Sequence, residues 1–367
     1  MRNTLKAATL ESKFPLLAVE ADCIISKDAD ITAVFEVDLP ELFTVTAAEY
    51  EAIHAAWAKA IKVLPNYTVV HKQDWFIRED YRSQTDKENL SFLSRSYEMH
   101  FNERPFLNHK CYLYLTKTTK ERMRMQSSFS SLCRGFIIPK EVDKDTTAHF
   151  LDTVGQFARI VNDTGLVHLR RLVGDEITGT ENKAGLVEKY FCLSMENTTA
   201  LEDIELGDDG LRVGDKHVSV HTLSELDALP SKVGTDCRYE RLSTDKSDCK
   251  LSFASPVGLL LSCNHLYNQY IFLDDSGENL QRFEKNARNR NSRPNALRGN
   301  QINKEWIDLY LNDAHSFGLT SVRAHCNIIA WTDNPMEVKN MRNDVGSQIA
   351  MMECKPRHNT VDAATLY

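Results

Sequence analysis

Strand-like segments alternate with amphipathic helical segments along most of the chain. The clearest helix begins at Thr46-Ala-Ala-Glu49, a capping box in which each end residue's side chain can bond the other's backbone. Apolar residues then recur at steps of three and four, and Pro65 ends the helix. The apolar stripe consists of Tyr50, Ile53, Trp57, Ile61 and Leu64. A helix with one apolar face must pack on another layer, so we expect a layered fold.

The segments around this helix predict strands. Residues 16–25 and 31–39 are rich in apolar and β-branched residues and flank a polar turn, which is typical of a hairpin. Residues 67–77 and 109–116 have a similar composition. Because helices and strands follow one another in mixed order, the sequence favours an α+β fold with helices packed on a mostly antiparallel sheet.

Three further helices are predicted in the first half of the chain. Thr85-Asp-Lys-Glu88 is a second capping box, and the apolar stripe after it continues until Pro105 interrupts the pattern. Residues 146–162 have the same helical period, and residues 183–192 predict a short helix.

A change of composition follows these elements. Residues 202–228 carry eight acidic and two basic side chains, with glycines at predicted turns between short strands. We interpret this region as a β-rich acidic insertion or linker. The predicted units are therefore residues 1–192, 193–250 and 251–367.

The last unit returns to the mixed pattern. Strands over 267–273 and 321–332 flank a helix over 301–317. Asn334-Pro-Met-Glu337 begins another helix with a cap residue and a proline at the first position, and residues 351–355 predict a closing strand. The predicted fold is α+β, with two sandwich-like units of helices on mostly antiparallel sheets and no P-loop domain. A ferredoxin-like topology is one expectation for each unit.

The composition is that of an ordinary soluble globular protein, with 367 residues, 42% hydrophobic and 26% charged side chains, and a net charge of −8. The longest strongly apolar run, residues 256–263, is far shorter than the roughly 20 residues that span a bilayer. The first residues contain no apolar signal core. Nine scattered cysteines without a Cys-x-x-Cys pair suit a reducing compartment, so we expect a cytoplasmic protein.

The chain contains none of the common motifs for catalysis or nucleotide binding. It has no Walker-type phosphate loop, no Gly-x-Gly-x-x-Gly, no Gly-x-Ser-x-Gly and no His-Glu-x-x-His. Three short pairings could supply zinc ligands only if folding gathered them, and buried thiols are the more common outcome for cysteines in apolar strands. The pairs are Cys263 with His265, His325 with Cys326, and Cys354 with His358. We predict no catalytic residue, cofactor site or metal site in this chain.

A basic segment stands out in this acidic chain. Asparagines, Pro294 and Gly299 predict a loop in its middle, whose guanidinium groups could hold nucleic-acid phosphates or an acidic partner surface. Base stacking is not supported, since no aromatic residue lies between 284 and 305. A solvated loop is the alternative. The basic residues are Arg282, Lys285, Arg288, Arg290, Arg293, Arg298 and Lys304, against Glu284.

Several longer segments closely resemble one known family. They are Val70-His-Lys-Gln-Asp-Trp-Phe-Ile77, Leu90-Ser-Phe-Leu93 with Phe101-Asn-Glu-Arg-Pro-Phe-Leu107, Leu113-Tyr-Leu-Thr-Lys-Thr-Thr-Lys-Glu-Arg122, Leu259-Leu-Leu-Ser-Cys-Asn-His265, Phe272-Leu-Asp-Asp-Ser-Gly-Glu-Asn-Leu280 and Glu353-Cys-Lys-Pro-Arg-His-Asn359. Together they resemble the N-terminal region of the TraG conjugation ATPases of Bacteroides-type conjugative transposons. That family is similar to the large cytoplasmic ATPase of type IV secretion systems.

The resemblance implies a non-catalytic domain that precedes an ATPase domain carrying the Walker motifs, so ATP and magnesium are expected only in that further domain. It implies hexamers at the cytoplasmic face of the inner membrane, with channel subunits and other conjugation-apparatus proteins as partners. No catalytic residue carries over to this chain. Two hypotheses follow: a docking domain of a conjugation ATPase, or a free-standing nucleic-acid-binding or adaptor protein that uses the arginine-rich 282–304 segment. Direct contact with DNA stays open.

Overall fold

The computed structural model describes residues 14–367 with gaps. The residues left out are 1–13, 42–43, 82–90, 103, 121–143, 198–200, 208–209, 224–227, 231–232, 234–236, 239–242, 247–249, 252, 292–297 and 318–321. The second predicted capping box, at Thr85, and Arg293 of the basic segment lie outside the described residues.

The strands are β1 (Leu16–Glu20), β2 (Cys23–Ser26), β3 (Ile31–Asp38), β4 (Thr68–Asp80), β5 (Pro105–Lys117), β6 (His168–Arg171), β7 (Gly179–Thr180), β8 (Lys183–Ala184), β9 (Ile204–Gly207), β10 (Gly210–Val213), β11 (Lys216–Leu223), β12 (Cys237–Arg238), β13 (Lys250–Leu251), β14 (Asn264–Leu273), β15 (Arg323–Thr332) and β16 (His358–Asn359). The helices are α1 (Ala47–Val63), α2 (Phe92–Asn102), α3 (Lys144–Asn162), α4 (Gly174–Thr178), α5 (Leu186–Cys192), α6 (Ser255–Leu260), α7 (Ser276–Asn291), α8 (Arg298–Phe317), α9 (Val338–Met351) and α10 (Ala363–Leu366).

One antiparallel sheet organises the described chain. Its strand order is β1-β2-β3-β5-β4-β14-β15-β11-β10-β9, with β6 paired to β3 and β16 to β11. Strand β14 pairs with β4 from Leu273 opposite Thr68 to His265 opposite Phe76. The sheet therefore contains strands from all three predicted units, and the positions of domain boundaries stay a prediction. The predicted α+β class is confirmed, whereas a ferredoxin-like topology is not.

The two faces of the sheet carry different layers. The front face, which includes Val70, Lys72, Asp74 and Phe76 of β4, is covered by two separate groups of helices. Helices α1 and α3 pack over β3, β5 and β4 in one apolar cluster, and α6 and α9 pack over β11, β14 and β15 in another. The back face, which includes Trp75, is covered by residues of α4, α5 and α10.

Local sequence signals near the N-terminus were enough to predict most of the helices and strands there. The Thr46 capping box is present, with the Glu49 amide 3.3 Å from Thr46 Oγ1 and the Thr46 amide 2.8 Å from Glu49 Oε2. The predicted first strand is divided in two by a tight turn at Ala21 and Asp22, whose φ angles of 50° and 57° are left-handed. Aspartate tolerates this conformation, so the turn costs little at that position.

Two predictions in the last unit differ from the structure. Both described parts of the basic segment, up to Asn291 and from Arg298, are helical, because asparagine lowers helix propensity only slightly and α7 and α8 pack on each other through Phe283 and Tyr310. The centre of the predicted loop, residues 292–297, lies outside the described residues. Residues 351–355 do not form a strand: α9 continues to Met351, and the left-handed φ of 59° at Glu353 interrupts an extended path.

Candidate functional site

A cleft of about 1440 Å³ separates the two groups of helices on the front face. Its floor is formed by strands β5, β4 and β14, one wall by helix α1 and the other by helix α6. The cleft exists because each helical group packs on its own end of a wide sheet. The front face of the central strands, between the two groups, is left partly uncovered.

The register of the strands places the side chains of the floor in rows. Phe76 stands opposite His109 on β5 and His265 on β14. One row further on, Asp74 stands opposite Cys111 and Tyr267. Side chains directly opposite each other, or diagonal to each other, in adjacent strands lie close enough to interact, so the floor contains two contact groups.

The first contact group is an ionic one. The Lys72 ammonium donates to both carboxylate oxygens of Asp74, at 2.6 Å to Oδ1, and His109 Nε2 donates to the same Oδ1 at 2.9 Å. The Asp74 side chain is 6% exposed and the Lys72 side chain 28% exposed. The carboxylate thus sits at the bottom of the cleft with its charge offset by a lysine that reaches the cleft space.

The electrostatics of this group favour the charged pair. Burial opposes the charge of Asp74, but Lys72 and the His109 hydrogen bond outweigh it and hold the pKa of Asp74 below its usual range. Burial also opposes the charge of Lys72, and the Asp74 carboxylate outweighs it, so the pKa of Lys72 is raised. Burial raises the pKa of the neighbouring Cys111 thiol, which therefore stays protonated and is a poor nucleophile at neutral pH.

The second contact group is an aromatic stack. The Phe76 ring lies between the rings of His109 and His265, with centroids 4.6 Å away on each side. His265 Nδ1 is 2.8 Å from the Cys263 carbonyl oxygen, which can only accept, so Nδ1 carries the proton. Burial lowers the pKa of His265 to about 4, and the ring is neutral at pH 7.

The walls of the cleft are apolar. Tyr50, Ile53 and Trp57 of α1 line one wall and are half-buried, and Leu259 of α6 lines the other and is exposed. Apolar walls over a floor whose charges are already paired suit an apolar occupant better than a small charged one.

A projecting arm begins at one end of the cleft. Strands β4 and β5 stay paired to Asp80 and Pro105, beyond the residues at which β14 and β3 pair with them. Residues 77–80 and 105–108 are therefore a two-stranded ribbon, and helix α2 lies at its tip. We call the ribbon and α2 together the arm.

Helix α2 has no buried residue. Its large apolar side chains are exposed, as is Phe106 on the ribbon, although Tyr97 and Phe101 touch with ring centroids 4.6 Å apart. Contiguous exposed apolar residues on a soluble protein usually mark an interaction site. The exposed residues are Phe92, Leu93, Tyr97, Met99, Phe101 and Phe106.

The basic segment lies apart from the cleft lining. Arg282 and Lys285 are exposed on α7, Arg288 and Arg290 follow on the same helix, and Arg298 and Lys304 belong to α8. The three Cys–His pairs do not gather: the described residues contain no group of three histidine, cysteine or acidic side chains placed to hold a metal ion. Within the same residues, no helix is both long and apolar enough to cross a membrane.

The sequence interpretation missed the Lys72–Asp74 pair. Its signal was present, since Lys72 and Asp74 are two positions apart in a predicted strand and therefore share one face. Only the structure shows that this face is the floor of a cleft. One wall of the cleft is α6, which lies almost two hundred positions further along the chain than Lys72 and Asp74, so no local pattern places it there.

Comparison with known proteins adds one relationship. Residues 3–55 match a family described as a domain of unknown function with a B. theta gene description, DUF3875. No curated protein matches the chain. The matched stretch covers β1 to β3 and the first half of α1, and it includes Tyr50 and Ile53 of the cleft wall.

Proposed function

We propose that this chain is the non-catalytic N-terminal domain of a conjugation ATPase, and that it docks the ATPase to the membrane channel and to neighbouring protomers during conjugative DNA transfer. The segment likenesses to the TraG family suggest this role. The observation that carries it is the arm, because an exposed apolar helix on a rigid ribbon is an element built for binding protein.

The arm is stiff at its base and apolar at its tip. The ribbon hydrogen bonds continue from the central strands of the sheet, so the ribbon is fixed relative to the body. Tyr81 supports the helix, with its hydroxyl 3.3 Å from Glu98 Oε1 and its ring 5.9 Å from that of Phe101. A rigid apolar element loses little conformational entropy on binding, which favours affinity.

In this proposal the domain works in the cytoplasm, peripheral to the inner membrane, as part of a hexamer. ATP and magnesium bind in a separate domain with Walker motifs, and this domain holds no cofactor. Its partners are the channel subunits and other proteins of the conjugation apparatus.

The test is transfer of the mobile element from donor cells. A donor whose gene encodes Leu93→Ser with Tyr97→Ser should transfer the element far less often than the parent, because two exposed apolar contacts are lost while the fold keeps its core. Met336→Ser, which also changes an exposed apolar residue but in the helical turn after β15, should transfer normally. Parental transfer from a donor that lacks the gene would falsify the proposal.

A second candidate is a nucleic-acid-binding accessory protein. Exposure of Arg282 and Lys285 on one helix, with Arg288 one turn further along, favours it. It predicts DNA binding that weakens with salt and with alanine at these positions. An absence of binding at low salt would remove this candidate and leave the first untouched.

A further inference from the structure

The arm and the cleft are complementary surfaces of the same chain. Helix α2 has 11 residues, which gives about 16 Å of length at 1.5 Å per residue. The cleft floor from Val70 to Phe76 is about 20 Å long at 3.3 Å per strand residue, so α2 fits along it. A cylinder of the length of α2 and about 10 Å diameter has a volume of about 1300 Å³, which the cleft of about 1440 Å³ can hold.

We propose that helix α2 of one copy of this chain lies in the cleft of the next copy, between α1 and α6. This inference rests on the proposed function, since it names the surface through which neighbouring protomers bind. The contact joins two different surfaces, so in a pair of copies one arm and one cleft stay unoccupied. Repeating the contact through these surfaces gives a ring or a filament.

The apolar surfaces match. Leu93, Tyr97 and Phe101 are spaced four residues apart, which puts them on one side of α2. Facing them would be Trp57 and Ile53 on one wall and Leu259 on the other. Helices that bind in grooves use anchors at this spacing.

The area is sufficient for recognition. Phe92, Tyr97 and Phe101 are 82%, 62% and 39% exposed. With about 200 Å² for a fully exposed aromatic side chain, the exposed parts of these three rings amount to about 370 Å². Leu93 and Met99 add to this, so the helix offers more than half of the roughly 800 Å² per partner of a standard interface.

The charges are complementary at the rim near the start of α1. Arg95 and Arg104 are exposed on the arm, and Asp38 and Glu41 are exposed at this rim, whereas the basic Lys110 lines the cleft on β5. Opposite charges around an apolar contact favour one orientation of α2 over the reverse.

The cleft of the same chain is a poor alternative binding site for α2. Pairing between β4 and β5 is unbroken from Thr68 opposite Lys117 to Asp80 opposite Pro105, so the ribbon holds α2 beyond the end of the sheet. No residue of α2 lines the cleft of its own chain. Folding α2 back would require breaking ribbon pairs, whereas a second copy needs no such change.

The test is sedimentation of the purified chain over a range of concentrations. The parent should assemble, and two variants should not: Leu93→Ser with Tyr97→Ser on the arm, and Leu259→Arg in the cleft. Each should weaken self-association by about 100-fold, as expected when a central apolar anchor is removed. Met336→Ser is the matched control and should assemble like the parent.

Mixing the two variants makes the test specific. The arm variant keeps an intact cleft and the cleft variant keeps an intact arm, so an equimolar mixture should form dimers that grow no further. A mixture that stays monomeric, an arm variant that assembles like the parent, or a parent that is monomeric throughout overturns the inference. Circular dichroism and thermal midpoints close to those of the parent show that the variants are folded.

The two proposals fail in different ways. If the purified chain does not assemble but element transfer still requires Leu93 and Tyr97, only the inference about the second copy is wrong. If assembly is as described but the element transfers without the gene, only the proposed function is wrong.

Discussion

At the residue scale, Asp74 is the group on which the cleft floor depends. Asp74→Asn removes the charge that offsets the partly buried Lys72 ammonium, and breaking a buried pair in this way costs about 3 kcal/mol of unfolding free energy. Urea unfolding measures the loss. The double variant Lys72→Met with Asp74→Leu removes both charges and should lose less; a larger loss in the double variant would contradict this view of the pair.

Gly258 allows helix α6 to approach the aromatic stack. A Cβ at this position would lie 3.1 Å from Cζ of Phe76, and Phe76 cannot move aside because rings flank it on both sides. We expect Gly258→Ala to destabilise the chain by about 1 kcal/mol through overpacking. Gly155→Ala, in α3 with nothing within 4 Å of the new Cβ, should instead be neutral or stabilise by up to about 1 kcal/mol. Thermal unfolding of both variants checks the opposite signs.

At the element scale, a buried polar network joins the central strands behind the cleft. Tyr114 OH and Trp75 Nε1 donate to Gln73 Oε1, and Gln73 Nε2 donates to Asn268 Oδ1 at 2.9 Å. Asn268 Nδ2 in turn donates to Asn327 Oδ1 at 2.8 Å. The network therefore crosses β5, β4, β14 and β15, and it fixes their register with hydrogen bonds that an apolar core could not supply.

Asn268→Ala should be strongly destabilising. It leaves buried polar atoms of Gln73 and Asn327 without their partner, at about 1–3 kcal/mol for each unsatisfied group. Asn108→Ala removes an exposed bond to Glu79 on the ribbon and should cost little. Equal losses of unfolding free energy for the two variants, measured in urea, would show that the buried network stabilises the fold no more than one exposed hydrogen bond does.

The elements that could be predicted from sequence are those whose signals are local. The helix that begins after Thr46 has its cap, its stripe and its stop within twenty residues. The pairing of β4 with β14 has no such signal, because it joins residues about two hundred positions apart. The contact of α7 with α8 through Phe283 and Tyr310 is also non-local, whereas the asparagine-rich sequence alone indicated a loop.

At the scale of the whole molecule, buried neutral histidines make stability depend on pH. Burial lowers the pKa of His71 and of His265 to about 4, and that of His221 to about 3. The unfolded chain takes up these protons near pH 6.5 and the folded chain does not. The contribution of these histidines to the free energy of unfolding is therefore full above pH 6.5. It is lost progressively as the pH falls from 6.5 through the folded pKa values.

We expect the urea midpoint to fall steadily from pH 6.5 to pH 4, with His265 alone contributing about 2 kcal/mol of the loss by pH 5. The low pKa of Asp74 adds a further loss only below about pH 4, where unfolded carboxylates bind protons. His265→Gln should flatten the slope between pH 6.5 and 4. An unchanged slope would mean that His265 does not titrate on unfolding.

The most direct test of a docking domain in a conjugation ATPase is the native gene product itself. An antibody to this region, used on fractionated donor cells, measures its size and location in one immunoblot. We predict a band well above the 41.8 kDa of this chain, in the fraction that contains the inner membrane. A band at 41.8 kDa in the soluble fraction alone would contradict the account, since neither the ATPase domain nor the membrane attachment would then exist.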